Sequence, residues 1–266
     1  MQKGKQRFSA RILIILLTAL IAVIPAGAKS DHWYCSHVSN HQRPHADANF
    51  QYISQYDGYY IGGQDNGPSD KVIYLTFDAG YENGNIAKIL DILKRQEVTA
   101  AFFVLAQLVS HDTDIVKRMF DEGHLVCNHT AHHKDMSKIT DRALFVQELE
   151  DLETLCREKT GKKLASYYRP PEGSFNEENL KWAQEAGYKT IFWSFAYADW
   201  DNNRQMNHDA ALEKILSNIH PGEVMLLHPT SATNASILEE VIIRCKEQGY
   251  RFGTLDELTQ KVAQNQ

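Results

Sequence analysis

The chain is poor in cysteine, and its four cysteines form no paired motif. Cys35, Cys127, Cys156 and Cys245 are widely spaced, with no Cys-x-x-Cys, which excludes a zinc ribbon and a thioredoxin-like redox centre. Cys156 and Cys245 fall on the apolar faces of expected helices, where a small buried thiol is the ordinary role. Disulfides are permitted outside the cell, but spacing alone pairs none of the four. An excess of positive charge is also missing: 28 Lys and Arg stand against 34 Asp and Glu in 266 residues. That balance excludes nucleic acid, or an anionic lipid surface, as a partner held through bulk charge. No apolar run reaches the roughly 20 residues needed to span a bilayer, and no internal repeat is evident.

The one substantial apolar run, Ile12 to Ile24, follows Lys3, Lys5, Arg7 and Arg11 and precedes Ala26-Gly27-Ala28. This is the three-part pattern of a secretory signal peptide, so residues 1–28 are expected to be removed. An uncleaved signal anchor is the alternative, and the only route to membrane attachment. No lipid-attachment cysteine follows the run. Without its four basic residues the mature chain has 24 basic against 34 acidic groups, and its place is expected to be extracytoplasmic.

Residues 29–70 are polar, aromatic and His-rich without sustained periodicity, and read as an irregular arm ending in the turn-rich Gly62–Pro68. Residues 71–266 then alternate between strand and helix patterns. Val72–Phe77, Thr99–Val104, Leu125–Cys127, Ser166–Tyr168, Tyr188–Trp193, Val224–Leu227 and Tyr250–Thr254 read as short buried strands. Between them, Ile86/Ile89/Leu90/Leu93, Phe145/Leu149/Leu152/Cys156 and Leu212/Ile215/Leu216/Ile219 each mark a helix with one face to bury. Ser174 with Glu177, and Thr254 with Glu257, read as capping boxes. The alternation predicts an α/β domain with about seven parallel strands, either an open sheet or a distorted (β/α) barrel.

The reactive residues decide between the two. Asp78 follows the first strand, His129 the third and Arg169 the fourth; Asp199 lies beyond the fifth, and His228 ends the sixth. A barrel brings such strand ends to one face, whereas an open sheet spreads them along a line. His129 and His133, four apart, would share one side of a helical turn and could grip one metal, with His132 pointing elsewhere. Spacing alone is weak evidence, since His37, His41 and His45 are also four apart.

Five motifs in order then carry a resemblance. Thr76-Phe77-Asp78-Ala79-Gly80, His129-Thr130-Ala131-His132-His133, Arg169-Pro170-Pro171-Glu172-Gly173, Asp199-Trp200 and Leu226-Leu227-His228 resemble those of the polysaccharide deacetylases, carbohydrate esterase family four, across roughly Val72 to Leu258. Tyr59-Tyr60-Ile61-Gly62, Gly80-Tyr81-Glu82-Asn83-Gly84 and Asn234-Ala235 look like the branch that deacetylates N-acetylmuramic acid of peptidoglycan on the way to the muramic δ-lactam of spore cortex. The resemblance implies a barrel of deacetylase type and a divalent metal on His129 and His133, zinc first, with cobalt, manganese or magnesium as alternatives. It further implies Asp78 as general base held ionised by Arg169, His228 as general acid oriented by Asp199, and a backbone N–H near the first turn for the oxyanion. Trp200 and Tyr81 are expected to touch the sugar of a glycan strand.

The chain departs from the family in two places. Ala79 stands where most members carry a second Asp, the third metal ligand, and Ala196 replaces the first Asp of the fourth motif. Two protein ligands should leave the ion more open to water and less firmly held. A deacetylase of chitin or xylan, or a catalytically silent sugar binder, are the competing readings; a binder has no need of a base, an acid and their orienting partners.

Overall fold

The computed structural model describes residues 30–36, 40–63 and 70–260; the expected signal segment and His37 lie outside them. Its centre is a curled, all-parallel sheet. The strands are β1 (Gly58–Tyr59), β2 (Val72–Ala79), β3 (Ala101–Val104), β4 (Leu125–Asn128), β5 (Ala165–Tyr168), β6 (Lys189–Ile191), β7 (Glu223–Leu227) and β8 (Arg251–Phe252). They run β8-β2-β3-β4-β5-β6-β1, and β7 pairs with residues 73–77 of β2. All seven expected strands form.

The sheet curls until its ends meet. Beyond β6 the chain turns onto β7, where Ser194 N donates to Val224 O (3.0 Å) and Leu226 N to Phe195 O (2.9 Å). A distorted barrel results, as the convergence of the reactive residues requires. Alternation along β2 sorts its side chains: Ile73, Leu75, Phe77 and Ala79 join the outer apolar layer under the helices, while Val72 and Tyr74 pack inside. Asp78 shares the inward register of Val72 and Tyr74, with side chains two apart on one face.

Helices cover the outside as the 3.6-residue pattern predicts. In α1 (Ile86–Arg95), Ile86, Ile89, Leu90 and Leu93 are all fully buried, each worth roughly 1.5–3 kcal/mol of transfer free energy. Two short helices, α2 (Ala106–His111) and α3 (Thr113–Asp121), follow β3. The long α4 (Arg142–Thr160) buries Phe145, Leu149, Leu152 and Cys156, starts on an Asp141 cap and stops at left-handed Gly161, an N-cap and C′ arrangement that satisfies the free ends of a helix. The remaining long helices are α5 (Glu177–Glu185), α6 (His208–Leu216) and α7 (Ala232–Glu247).

Two local expectations need revision. Asn176, not Ser174, caps α5, accepting from Asn179 N (2.8 Å); Ser174 Oγ instead meets His32 Nδ1 (2.9 Å). Thr254 does cap the final short helix, through Glu257 N. The lead-in is more ordered than an irregular arm. It folds as a 3₁₀ segment (Ala48–Tyr56) and β1, and buries Trp33, Phe50, Ile53 and Tyr60 against Phe175 and Phe192. Aromatic packing supplies here the order that periodicity could not signal. Cys127, Cys156 and Cys245 are buried, and all four cysteines are free.

Candidate active site

The C-terminal strand ends open on a cleft of about 770 Å³, lined by Asp78, His129, His133 and His228, with Tyr81 and Trp200 on its wall. Arg169 and Asp199 are fully buried behind this surface, each bonded to a residue that lines it. All eight residues singled out in the sequence thus converge, six on the cleft and two in its support. The competing histidines lie elsewhere: His41 is exposed and bonded to Ile219 O, beside a separate cavity.

Asp78 is the best-supported group. Arg169 Nη1 donates to its Oδ1 at 2.8 Å. The guanidinium is itself fixed by Ile191 O (2.9 Å), Phe192 O (3.2 Å) and Thr76 Oγ1 (3.0 Å), and lies over the Phe103 ring at 4.1 Å. A planar fork with all three nitrogens engaged cannot turn away. Burial pushes the Asp78 carboxyl up, but the charge of Arg169, helped by His129 and His228, outweighs it and holds the group below its usual value. The carboxylate is therefore ionised and aimed.

His129 and His133 come from a loop, not a helical turn. Thr130 (φ 73°) and His133 (φ 54°) both adopt the left-handed region, uncommon for residues with a Cβ and costly for a β-branched one. Local hydrogen bonds hold the conformation: Thr130 N donates to Asn128 Oδ1 (2.9 Å), and His133 N to Thr130 Oγ1 (3.0 Å). The two imidazoles meet edge to face, 5.1 Å between centroids. His129 Nδ1 donates to Arg169 O (2.8 Å), which leaves Nε2 with its lone pair free, 3.6 Å from Asp78 Oδ2. Burial pushes His129 down to about 4, so the ring is neutral at pH 7. A neutral imidazole whose far nitrogen is engaged by a carbonyl is the state that ligates a metal, so these donors fit a divalent ion. Among the described residues no cluster of three or more His, Cys, Asp or Glu donors forms. Ala79 packs in the outer layer and Ala196 lines the cleft.

Glu148 was not foreseen. From α4 it accepts from His132 N (3.2 Å), pairs with the His132 ring (3.1 Å) and takes Lys134 Nζ at 2.6 Å. Burial opposes its charge, but Lys134 and His132 prevail and hold it below its usual value. One carboxylate thus clamps the loop between the two cleft histidines, and His132 does face away. The signal was present: Glu148 sits inside the Phe145/Leu149/Leu152 stripe, where a charge needs a reason.

Opposite Asp78, His228 Nδ1 meets Asp199 Oδ1 at 2.7 Å, and its backbone N–H meets Asp199 Oδ2 at 2.8 Å. Burial works against the imidazolium, but bonded Asp199 and the nearby Asp78 override it and raise His228 above its usual value. On the rim Trp200 is 65 % exposed, and Tyr81 accepts from Asn202 Nδ2 at 2.7 Å. The Pro170–Gly173 turn adds Glu172 to the wall. Gly173 (φ +66°) is obligatory there, since a Cβ would come within 2.8 Å of the Trp193 ring.

A buried base–guanidinium pair, two histidines beside it and an acid–imidazole pair across the cleft define a hydrolase site. The polysaccharide deacetylase family model matches residues 65–191, and the chain belongs to that family, whose members are generally metal-dependent. It is 40% identical over 229 residues to the peptidoglycan-N-acetylmuramic acid deacetylase PdaA of Bacillus subtilis, covering 85% of each chain. The solved structure of that B. subtilis protein, a family 4 carbohydrate esterase, superposes with a TM-score of 0.81 at 39% identity, over 86% of this chain and 97% of that one. A peptidoglycan-N-acetylglucosamine deacetylase of Bacillus cereus is 34% identical over 204 residues, 73% of this chain and 71% of the relative.

Proposed function

We propose that the chain hydrolyses the N-acetyl group of N-acetylmuramic acid in peptidoglycan strands, outside the cytoplasm, on the way to the muramic δ-lactam of spore cortex. The observation that carries the reading is the opposed pair in one cleft: Asp78 ionised by Arg169 on one side, His228 bonded to Asp199 and raised by it on the other. An amide needs both a base for water and an acid for the departing nitrogen. The relationship to PdaA favours the muramyl sugar over glucosamine.

His129 and His133 would hold the divalent ion, with zinc the choice for two imidazoles. When bound, such an ion polarises the acetyl carbonyl and acidifies water. Asp78, ionised at neutral pH, takes the proton from the attacking water. His228 carries a proton on the nitrogen that Asp199 does not engage, and passes it to the amide nitrogen as the C–N bond breaks, leaving acetate and a free amine. The Gly80–Tyr81 turn, which lines the cleft, would supply a main-chain N–H to the oxyanion, and Trp200 offers a face for the sugar ring.

Acetate release tests the reading. Defined muramyl oligosaccharides should be deacetylated, chelator should stop the reaction, and zinc should restore it; Asp78→Asn should abolish it. Full activity in metal-free protein or in Asp78→Asn would sink the mechanism. Release from chitin or xylan oligosaccharides but not from muramyl glycan would reassign the substrate.

A further inference from the structure

Asp199 is one link in a longer chain of hydrogen bonds. Asn234, in the first turn of α7, is 1 % exposed and sits behind it. Its Nδ2 donates to Asp199 Oδ2 (2.6 Å) and to His228 O (3.1 Å), while Tyr197 Oη donates to its Oδ1. The orientation of this amide is unambiguous: a carboxylate and a carbonyl can only accept, so the NH₂ must face them. Asn234 N is held in turn by Ser231 Oγ (3.0 Å), the cap of the helix. A rigid helix end therefore delivers two protons to Asp199 and to the backbone of His228.

We propose that Asn234 is a positioning residue for the deacetylation, fixing the Asp199 carboxylate so that the His228 imidazolium keeps its Nδ1 proton on Asp199 and presents its Nε2 proton to the leaving nitrogen. The proposal rests on the reading of His228 as the general acid. Asp199 Oδ2 has two donors, the Asn234 amide and His228 N, and the first sets the tilt of the carboxylate plane. A buried carboxylate robbed of one donor rotates to recover it, and the Nδ1 bond it offers the imidazole weakens. Tyr197, which donates to the Asn234 oxygen, also lines the cleft. The groups acting on His228 are Asp199, Asp78 and Arg169, and Asn234 changes none of their charges.

The test is Asn234→Leu, which keeps the volume and removes both donors. In the wild type, ¹⁵N spectra of His228 above its midpoint should show one tautomer, with a slowly exchanging Nδ1 proton. The variant should show mixed tautomers, faster exchange, and kcat lower by about 10–100-fold with KM within about threefold, as loss of acid alignment requires. Tyr197→Phe, which removes one oxygen, should move tautomer and exchange the same way by less. Should the leucine variant not fold, Tyr197→Phe decides. A single tautomer and unchanged exchange in whichever variant decides would overturn the proposal. If the protein releases no acetate from any glycan, the functional reading fails instead, while the His228 spectra still judge the hydrogen-bond role.

Discussion

Arg169→Met removes a guanidinium that is 0 % exposed while keeping an unbranched chain against Phe103. Four hydrogen bonds go with it: one to Asp78, one to Thr76 Oγ1 and two to the carbonyls of Ile191 and Phe192. Breaking a buried ion pair from one side costs about 3–5 kcal/mol, because the partner charge is left uncompensated. The stranded carbonyls push the figure toward the upper end. For a domain of this size that is a fall in Tm of roughly 6–20 °C. The loss should depend on pH with a definite sign. Asp78 is held below its usual value, so its pairing stabilises the fold above the unfolded carboxylate pKa of about 3.9 and fades as pH drops through the folded value. In the variant the main opposition to burial is gone, since His129 and His228 remain but Arg169 does not, and Asp78 rises. Urea unfolding should show the full deficit at pH 7 and a smaller one near pH 4, where a protonated Asp78 tolerates the interior. The acid limb of kcat/KM should move upward in parallel, since the base is then protonated at higher pH. A deficit below about 1 kcal/mol at pH 7, or an acid limb that stays in place, would refute the account of this pair.

Asp199→Asn removes the anion that raises His228; the alkaline limb of kcat should fall to lower pH, with kcat reduced by about 10–100-fold. The same pair stabilises the fold fully below the unfolded His pKa of about 6.5 and loses that contribution as pH rises through the higher folded value. Glu148→Gln should loosen the loop carrying His129 and His133 and weaken zinc binding by about 10–100-fold, read by competition with a chelating dye; unchanged affinity would mean the loop holds itself. Trp200→Ala should raise KM by about 2–12-fold, the equivalent of ~0.5–1.5 kcal/mol of ring contact, while the urea midpoint stays fixed.

The barrel was legible because its strands are continuous apolar runs and its reactive residues recur at their ends. Asp78, His129, Arg169 and His228 could be placed without knowing one contact. The means of holding them could not. The His129–His133 spacing suggests a helical turn, yet left-handed Thr130 and His133 build a loop, because hydrogen bonds from Asn128 and Thr130 outweigh the backbone cost. Periodicity carries no information about such local bonds. Ser174 matched a capping box by spacing, but the helix starts two residues later, where Asn176 accepts from Asn179 N. Glu148 and Asn234 escaped notice as functional positions for a related reason: each works through a partner distant in sequence, and only folding reveals which.

The short strand β1 has a consequence for how the protein can be handled. Thr190 N and Phe192 N of the β6 edge are satisfied by Asp57 O (3.0 Å) and Tyr59 O (2.7 Å), both supplied by the lead-in. A chain trimmed to begin at Lys71 would keep every cleft residue and yet expose that edge, with Phe175 and Phe192 stripped of Trp33 and Phe50. Unpaired edges under bare aromatics template strands from other copies. The trimmed protein should therefore precipitate or form oligomers in light scattering, although its chemistry is intact on paper.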